Sequence, residues 1–308
     1  METTAPSSAQ LSALLRLLDD PSPSVRRALL ARFTALGPET APFLRELSHG
    51  PDRALAAHAA WFLNELKFSD PVAEFRTFIG TRRRGRKISD PVAEFRTFIG
   101  SLHYELETGA LLLARTVNPG LDVGRCCEQL DAIAARCTEL IAEPASSREK
   151  CRIINRVMFH EWGFRGNVEH YTDPQNSFLN TVLTRRIGLP ISLSLVYLLV
   201  AERLGLALEP VGLPGHFLVG CFDDEIPFYV DPFDRGLFRD PDEVIAFLIA
   251  QGTSPQPADL MPTAIHEVLC RCCRNLVHHY TVSGEPARAR LFASFITDFE
   301  TTHTRESE

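Results

Sequence analysis

The sequence predicts an α+β fold, mainly helical, with a small antiparallel sheet. Three observations carry the prediction. Apolar residues recur at helical spacing through most of the 308 residues. The stretch from Asn176 to Asp234 breaks that pattern: two helices give way to extended segments at Leu206 to Gly212, His216 to Phe222 and Ile226 to Val230, with Asp223-Asp224 as a hairpin turn. Helical spacing then resumes, so helices flank and cover a local sheet.

Composition bounds the function. Hydrophobic residues make up 45% and charged residues 23%, ordinary for a globular chain with room for a core and an accessory module. A net charge of −7 argues against general attraction to nucleic acid or anionic membrane. The start, METTAPSSAQ, lacks the basic-then-apolar order of a secretory signal. The longest apolar run, Leu193 to Ala201, is broken by Ser194 and too short to span a bilayer. A soluble, cytoplasmic protein is expected. The eight cysteines, at 126, 127, 137, 151, 221, 270, 272 and 273, form no CxxC pair. Cys270, Cys272 and Cys273 cannot all face one metal from a helix, so buried reduced thiols are expected, with no metal and no cofactor.

Residues 11–67 are helical in pattern, within a segment spanning 1–67, and contain an internal similarity. Pro21 to Leu36 aligns with Pro51 to Leu66, pairing Val25 with Leu55, Phe33 with Leu63 and Leu36 with Leu66 on one helical face. Each half opens on a proline-containing turn. Such paired short helices resemble HEAT-type repeats, and two are too few for a solenoid. Partner binding and a capping layer both fit this segment.

Residues 69–80 and 89–100 are identical, SDPVAEFRTFIG twice. The repeat marks a recent tandem duplication or an artefact in the sequence. Each copy has a Ser-Asp-Pro helix start and apolar residues at helical spacing, and one core normally offers one slot. The second copy, which runs directly into further helix, is expected to fill it. The intervening TRRRGRK then reads as a solvated basic linker, so residues 68–88 form a duplicated helix and linker.

Leu102 to Ala142 and Lys150 to Phe159 continue the helical pattern, and Trp162 and Phe164 are expected under the turn-rich loop that follows. His160 and His170 read as surface or capping groups. Asn176 or Ser177 caps a helix through Arg186, which Gly188 ends. Pro190 suits the first position of the next helix, which stops at Gly205. The face of Leu193, Tyr197, Val200 and Leu204 is apolar, so this helix is central.

Three phrases, NSFLNTVLTRRIGLPISLSLVY, LPGHFLVG and YVDPF, together resemble the bacterial Sir-B-type branch of the transglutaminase-like superfamily, over roughly residues 90–240. The branch has a tetratricopeptide-like tail, which Leu269 to Ile296 resembles. The resemblance implies a transglutaminase-like domain over residues 89–255 and a helical tail over 256–308. It also implies a papain-like layout: a nucleophile at the start of the central helix, a histidine on the next strand and an orienting aspartate on the one after. His216 and Asp231 match the second and third places. Where the superfamily pattern has Gly-x-Cys, this chain has Gly188-Leu189-Pro190.

A cysteine at a helix start has its thiolate stabilised by the helix dipole, and an aspartate holds the imidazole in one tautomer. Proline brings neither a thiol nor an N–H. Ser192 and Ser194 are the nearby hydroxyls, and Ser192 is the candidate nucleophile, with helix capping as its alternative. Asn176, Asn180, Arg185 and Arg186 are candidate substrate-binding residues, equally explained by capping and surface ion pairs. Two functions remain open. One is a non-catalytic module that binds a protein or peptide partner through the old cleft. The other is a hydrolase or acyltransferase using His216 and Asp231 with Ser192 or a water. A scaffold with a vestigial cleft is a third, weaker reading.

Overall fold

The structure, a computed structural model, describes residues 90–304 except 103, 224 and 225, and scattered residues between 14 and 66, chiefly helix α1 (Pro23–Leu36). The chain divides into two units, Met1–Arg86 and Lys87–Glu308. In the first, Leu29 and Phe33 of α1 enter a buried cluster with Leu18, Leu44, Ala59, Phe62 and Leu63. Phe33 meets Phe62 edge-on at 5.2 Å. Val25, Leu55 and Leu66, all on the face the internal alignment marks as core, pack against that cluster. The first SDPVAEFRTFIG copy and the basic run after it lie outside the described residues.

The second unit opens on helices α2 (Pro91–Gly100), α3 (Leu106–Arg115), α4 (Val123–Leu140) and α5 (Ser147–Asn155). Helix α2 is the second SDPVAEFRTFIG copy. The Asp90 carboxylate accepts the Val92 and Ala93 N–H groups and Pro91 takes the first helical position, so its start is fixed locally. Its apolar face buries Phe95, Phe98 and Ile99. Helix α5 starts with a capping box between Ser146 and Glu149, then loosens into a π-helical turn over Arg156–Glu161.

The sheet region follows. A parallel pair, β1 (Arg165–Gly166) with β2 (Ile187–Gly188), brackets a 3-10 turn over Pro174–Ser177 and helix α6 (Leu179–Arg185). Helix α7 (Pro190–Arg203) leads into the antiparallel strands β3 (Glu209–Leu213), β4 (His216–Cys221), β5 (Phe228–Asp231) and β6 (Leu237–Arg239), in that spatial order. Helices α8 (Pro241–Ala250), α9 (Ile265–Val282) and α10 (Pro286–Thr304) close the unit, with α9 packed along α10. Helix α7 is buried from Pro190 to Ala201 and packs on β3, β4, α3, α4 and α5. A helix apolar nearly all round has no face to offer water, so it sits in the core.

The fold class is as expected: mainly helical, with a small antiparallel sheet. Four local features differ. The 3-10 turn, capped by the Asp173 carboxylate on the Gln175 N–H, takes up Asn176 and Ser177, so neither caps α6; Phe178 does so without a side-chain bond. Helix α6 ends at Arg185, one residue short of the expected Arg186, and its left-handed cap is Arg186, with φ of +58°, rather than Gly188. The Arg186 side chain compensates by donating to the Trp162 carbonyl at 2.8 Å and lying 5.0 Å over the indole. Strand β3 starts at Glu209 rather than Leu206. A fourth strand, β6, was not foreseen; it is three residues long, too short for alternation to show.

Phe164 is buried and Trp162 half-buried, and His160 and His170 are exposed. All eight cysteines are buried free thiols. Among the described residues, no helix is long and apolar enough to cross a membrane, and no group of three His, Cys, Asp or Glu side chains is placed to hold a metal.

Candidate functional site

Strand pairing brings the histidine and aspartate together. In β4, residues Phe217 to Cys221 are buried while His216, at the strand's start, keeps partial exposure. Strand β5 runs antiparallel beside it and ends on Asp231. His216 Nε2 lies 2.8 Å from Asp231 Oδ2. A carboxylate oxygen accepts, so in this contact Nε2 is the donor and the carboxylate orients the ring.

Asp231 is 1% exposed, and its second oxygen is also committed. Oδ1 accepts the backbone N–H groups of Phe233 at 3.1 Å and Asp234 at 3.2 Å. Arg239 Nη2, from β6, lies 3.5 Å from Oδ2. The turn after Asp231 is tight: Gly236 N–H donates to the Asp231 carbonyl at 2.8 Å, with Gly236 at φ +79°. A side chain on Gly236 would collide with Asn155, whose amide donates to the Gly236 carbonyl at 2.7 Å. The π-helical turn thus starts beside the loop that fixes Asp231.

Aromatic rings wall the imidazole. Phe233 approaches it edge-on at 6.1 Å and Phe247 lies at 5.2 Å. The Phe233 ring also packs on Gly166, so tightly that any Cβ there would sit 2.5 Å from it, and Gly166 pairs with Gly188. This chain of contacts links the His216 ring to the strand that leads into α7.

Pro190 and Ser192 stand at the start of α7, both buried. Ser192 Oγ donates to the Asn176 carbonyl at 2.6 Å and accepts the Leu189 N–H at 2.8 Å. Its hydroxyl is committed to the backbone and makes no bond to His216. Ser194 Oγ is buried without a partner. The thiols offer no substitute. Burial pushes Cys126 and Cys270 up to about 11, and Cys127, Cys137 and Cys272 up to about 12. Cys221 lies at the far end of β4, away from His216.

The four candidate substrate-binding residues are not gathered around His216. Asn176 and Arg185 line a separate cleft of about 440 Å³ with Arg165, Asn167 and His170. Asn176 is 1% exposed; its amide donates to the His170 and Tyr171 carbonyls and accepts from Asn167. Arg185 pairs with Asp173 at 2.8 Å, Arg186 lies on Trp162, and the Asn180 side-chain oxygen is buried without a partner.

Sequence reading missed Phe233, Arg239 and Arg271. The DPF phrase carried Phe233 but gave it no role. Arg239 reaches the site through strand pairing, and Arg271, whose Nη2 donates to the His216 carbonyl at 2.8 Å, through the packing of α9; neither leaves a local signal.

A family model described as the transglutaminase-like superfamily matches residues 125–274, which include His216, Asp231 and Arg271. A UPF0162 protein of Xylella fastidiosa (strain 9a5c) is 34% identical over 197 residues, covering 62% of this chain and 70% of that protein. A UPF0162 protein of Vibrio cholerae is 30% identical over 131 residues, covering 42% and 48%. F-box only protein 21 of Mus musculus is 43% identical over 91 residues, which is 27% of this chain and 14% of that protein. No solved structure matches.

Proposed function

Because this chain belongs to the transglutaminase-like superfamily, among the proteins named UPF0162, we propose that it is a non-catalytic member, a cytoplasmic module that binds a protein or peptide partner. The observation that carries this reading is Pro190. It stands where the superfamily pattern has its cysteine, and proline supplies neither nucleophile nor oxyanion donor. The hydroxyl two residues on, Ser192, is bonded to Asn176 and Leu189. Eight reduced thiols fit a reducing compartment. The finer assignments belong to the same reading: a Sir-B-type branch, a HEAT-like segment over residues 1–67 and a tetratricopeptide-like tail over 256–308, both suited to protein contacts. The α9–α10 pair supports the last of these.

A second reading keeps catalysis through a water, and the 2.8 Å His216–Asp231 contact favours it. One experiment separates the two. The full chain is incubated with a glutamine-containing peptide and a labelled amine, and separately with an activated ester. The binding reading expects rates equal to those of His216→Ala. Turnover that falls by ~10²–10⁴-fold in His216→Ala would overturn it in favour of general-base catalysis.

A further inference from the structure

Arg271, on α9, donates Nη2 to the His216 carbonyl at 2.8 Å and to the Leu213 carbonyl, bridging the two ends of the β3–β4 turn. Its guanidinium lies 5.6 Å from the Phe217 ring centroid. The residue is only partly exposed, and burial lowers its pKa. A charge withdrawn from water is normally paired with an opposite one. Arg271 has no ion pair among the described residues. The carboxylate on its own helix, Glu267, is held by Arg274 at 2.5 Å. The remaining guanidinium N–H groups have no partner among the described residues either.

What surrounds that charge has the character of a ligand site. Tyr171 is 42% exposed and its phenol lies in the field of Arg271. The Tyr171 ring meets Phe233 edge-on at 6.2 Å, and Phe233 meets His216 at 6.1 Å. Arg271, Tyr171, Phe233 and His216 therefore form a contiguous patch of three rings and one cation that has no ion pair among the described residues, although Glu267 contributes to its field. The neighbouring cleft at Arg185 differs, since there the arginine is already paired with Asp173.

We infer that this patch recognises a carboxylate carried next to an apolar group on a peptide, with Arg271 as its anion-binding residue. The inference rests on the binding reading above and names the chemistry of the partner. A carboxylate matches the planar fork of a guanidinium, and the rings exclude water around the contact.

The test uses the full chain labelled with ¹³C-histidine, with the His216 signal identified by its loss in His216→Asn. Three probes are titrated: N-acetylphenylalanine, N-acetyl-aspartyl-phenylalanine amide and N-acetylphenylalanine amide. They carry a terminal carboxylate, a side-chain carboxylate and none. At least one carboxylate probe is expected to shift the His216 signal saturably, and the stronger one identifies the source. Affinity should fall roughly tenfold or more in Arg271→Gln and less in Arg271→Lys, since a charged hydrogen bond is lost in the first only. Thermal melts check that both variants are folded, and if Arg271→Gln is not, a fall in affinity with added salt takes its place. Equal binding of the neutral amide, or wild-type affinity in a folded Arg271→Gln, overturns the carboxylate assignment while peptide binding stands. No shift with any probe overturns the assignment of the patch. Hydrolysis of a probe would instead sink the non-catalytic reading.

Discussion

Ser192 gives its hydroxyl proton to the Asn176 carbonyl, 2.6 Å away, and takes the Leu189 N–H at 2.8 Å. This serine ties the start of the central helix to the turn that precedes α6. Substitution by alanine leaves a buried carbonyl and a buried N–H short of partners. Ser192→Ala should therefore lower unfolding free energy by about 1–3 kcal/mol, read from urea denaturation. A fluorophosphonate probe should leave the wild-type serine unmodified. Labelling at Ser192 would show a hydroxyl free to react.

Pro190 supports a converse experiment. Pro190→Cys creates a Gly-x-Cys sequence at a helix N-terminus, where the dipole favours a thiolate. All eight native thiols are buried, and burial raises Cys126 and Cys270 to about 11 and Cys127, Cys137 and Cys272 to about 12, so iodoacetamide at neutral pH should leave wild type unmodified. The variant should take up one equivalent, read by mass spectrometry, and more slowly when His216→Ala is added. A variant as inert as wild type would mean that the start of α7 cannot host a nucleophile.

The sheet and the His–Asp pair were legible because local signals coincided there. A Pro-Gly pair precedes His216, and Asp223-Asp224 separates the apolar runs of β4 and β5 in the sequence, though Asp224 lies outside the described residues. Antiparallel pairing then leaves His216 and Asp231 within reach. Other features were hidden because their causes are distant in sequence. Gly188 looked like the end of α6, but Trp162, 24 residues upstream, lets Arg186 take the left-handed position. The Ser192 acceptor lies 16 residues away and the Arg271 contact with His216 spans 55. Periodicity cannot report contacts of that range.

His279 predicts an acid-sensitive fold. It is 2% exposed, its Nδ1 has no partner, and burial pushes its pKa down to about 4, with His278 acting in the same direction and Asp173 opposing. In the unfolded chain a histidine titrates near ~6.5. Between those values the unfolded state binds a proton that the folded state refuses. Stability is therefore full above pH ~6.5 and falls as pH drops towards about 4, by up to about 3 kcal/mol. Urea midpoints at several pH values for wild type and His279→Leu check this. The same acid slope in both would remove His279 as its cause.

The duplicated segment yields the last prediction. Phe95 of α2 is 0% exposed and meets Phe295 edge-on at 4.9 Å, while Glu94 beside it pairs with Arg115 at 2.7 Å in a buried contact. Phe95→Ala should cost about 3–5 kcal/mol, the usual loss for a buried phenylalanine. Phe75 is the same residue in the first copy. Identical sequences share identical helix propensity, so any difference between Phe75→Ala and Phe95→Ala measures packing alone. One core offers one slot, and the second copy fills it here. Phe75→Ala should cost less by at least ~2 kcal/mol in chemical denaturation, and deleting residues 69–88 should preserve the melt of the second unit. Equal costs would mean that each copy has a core of its own, and the duplication would then have added structure rather than length.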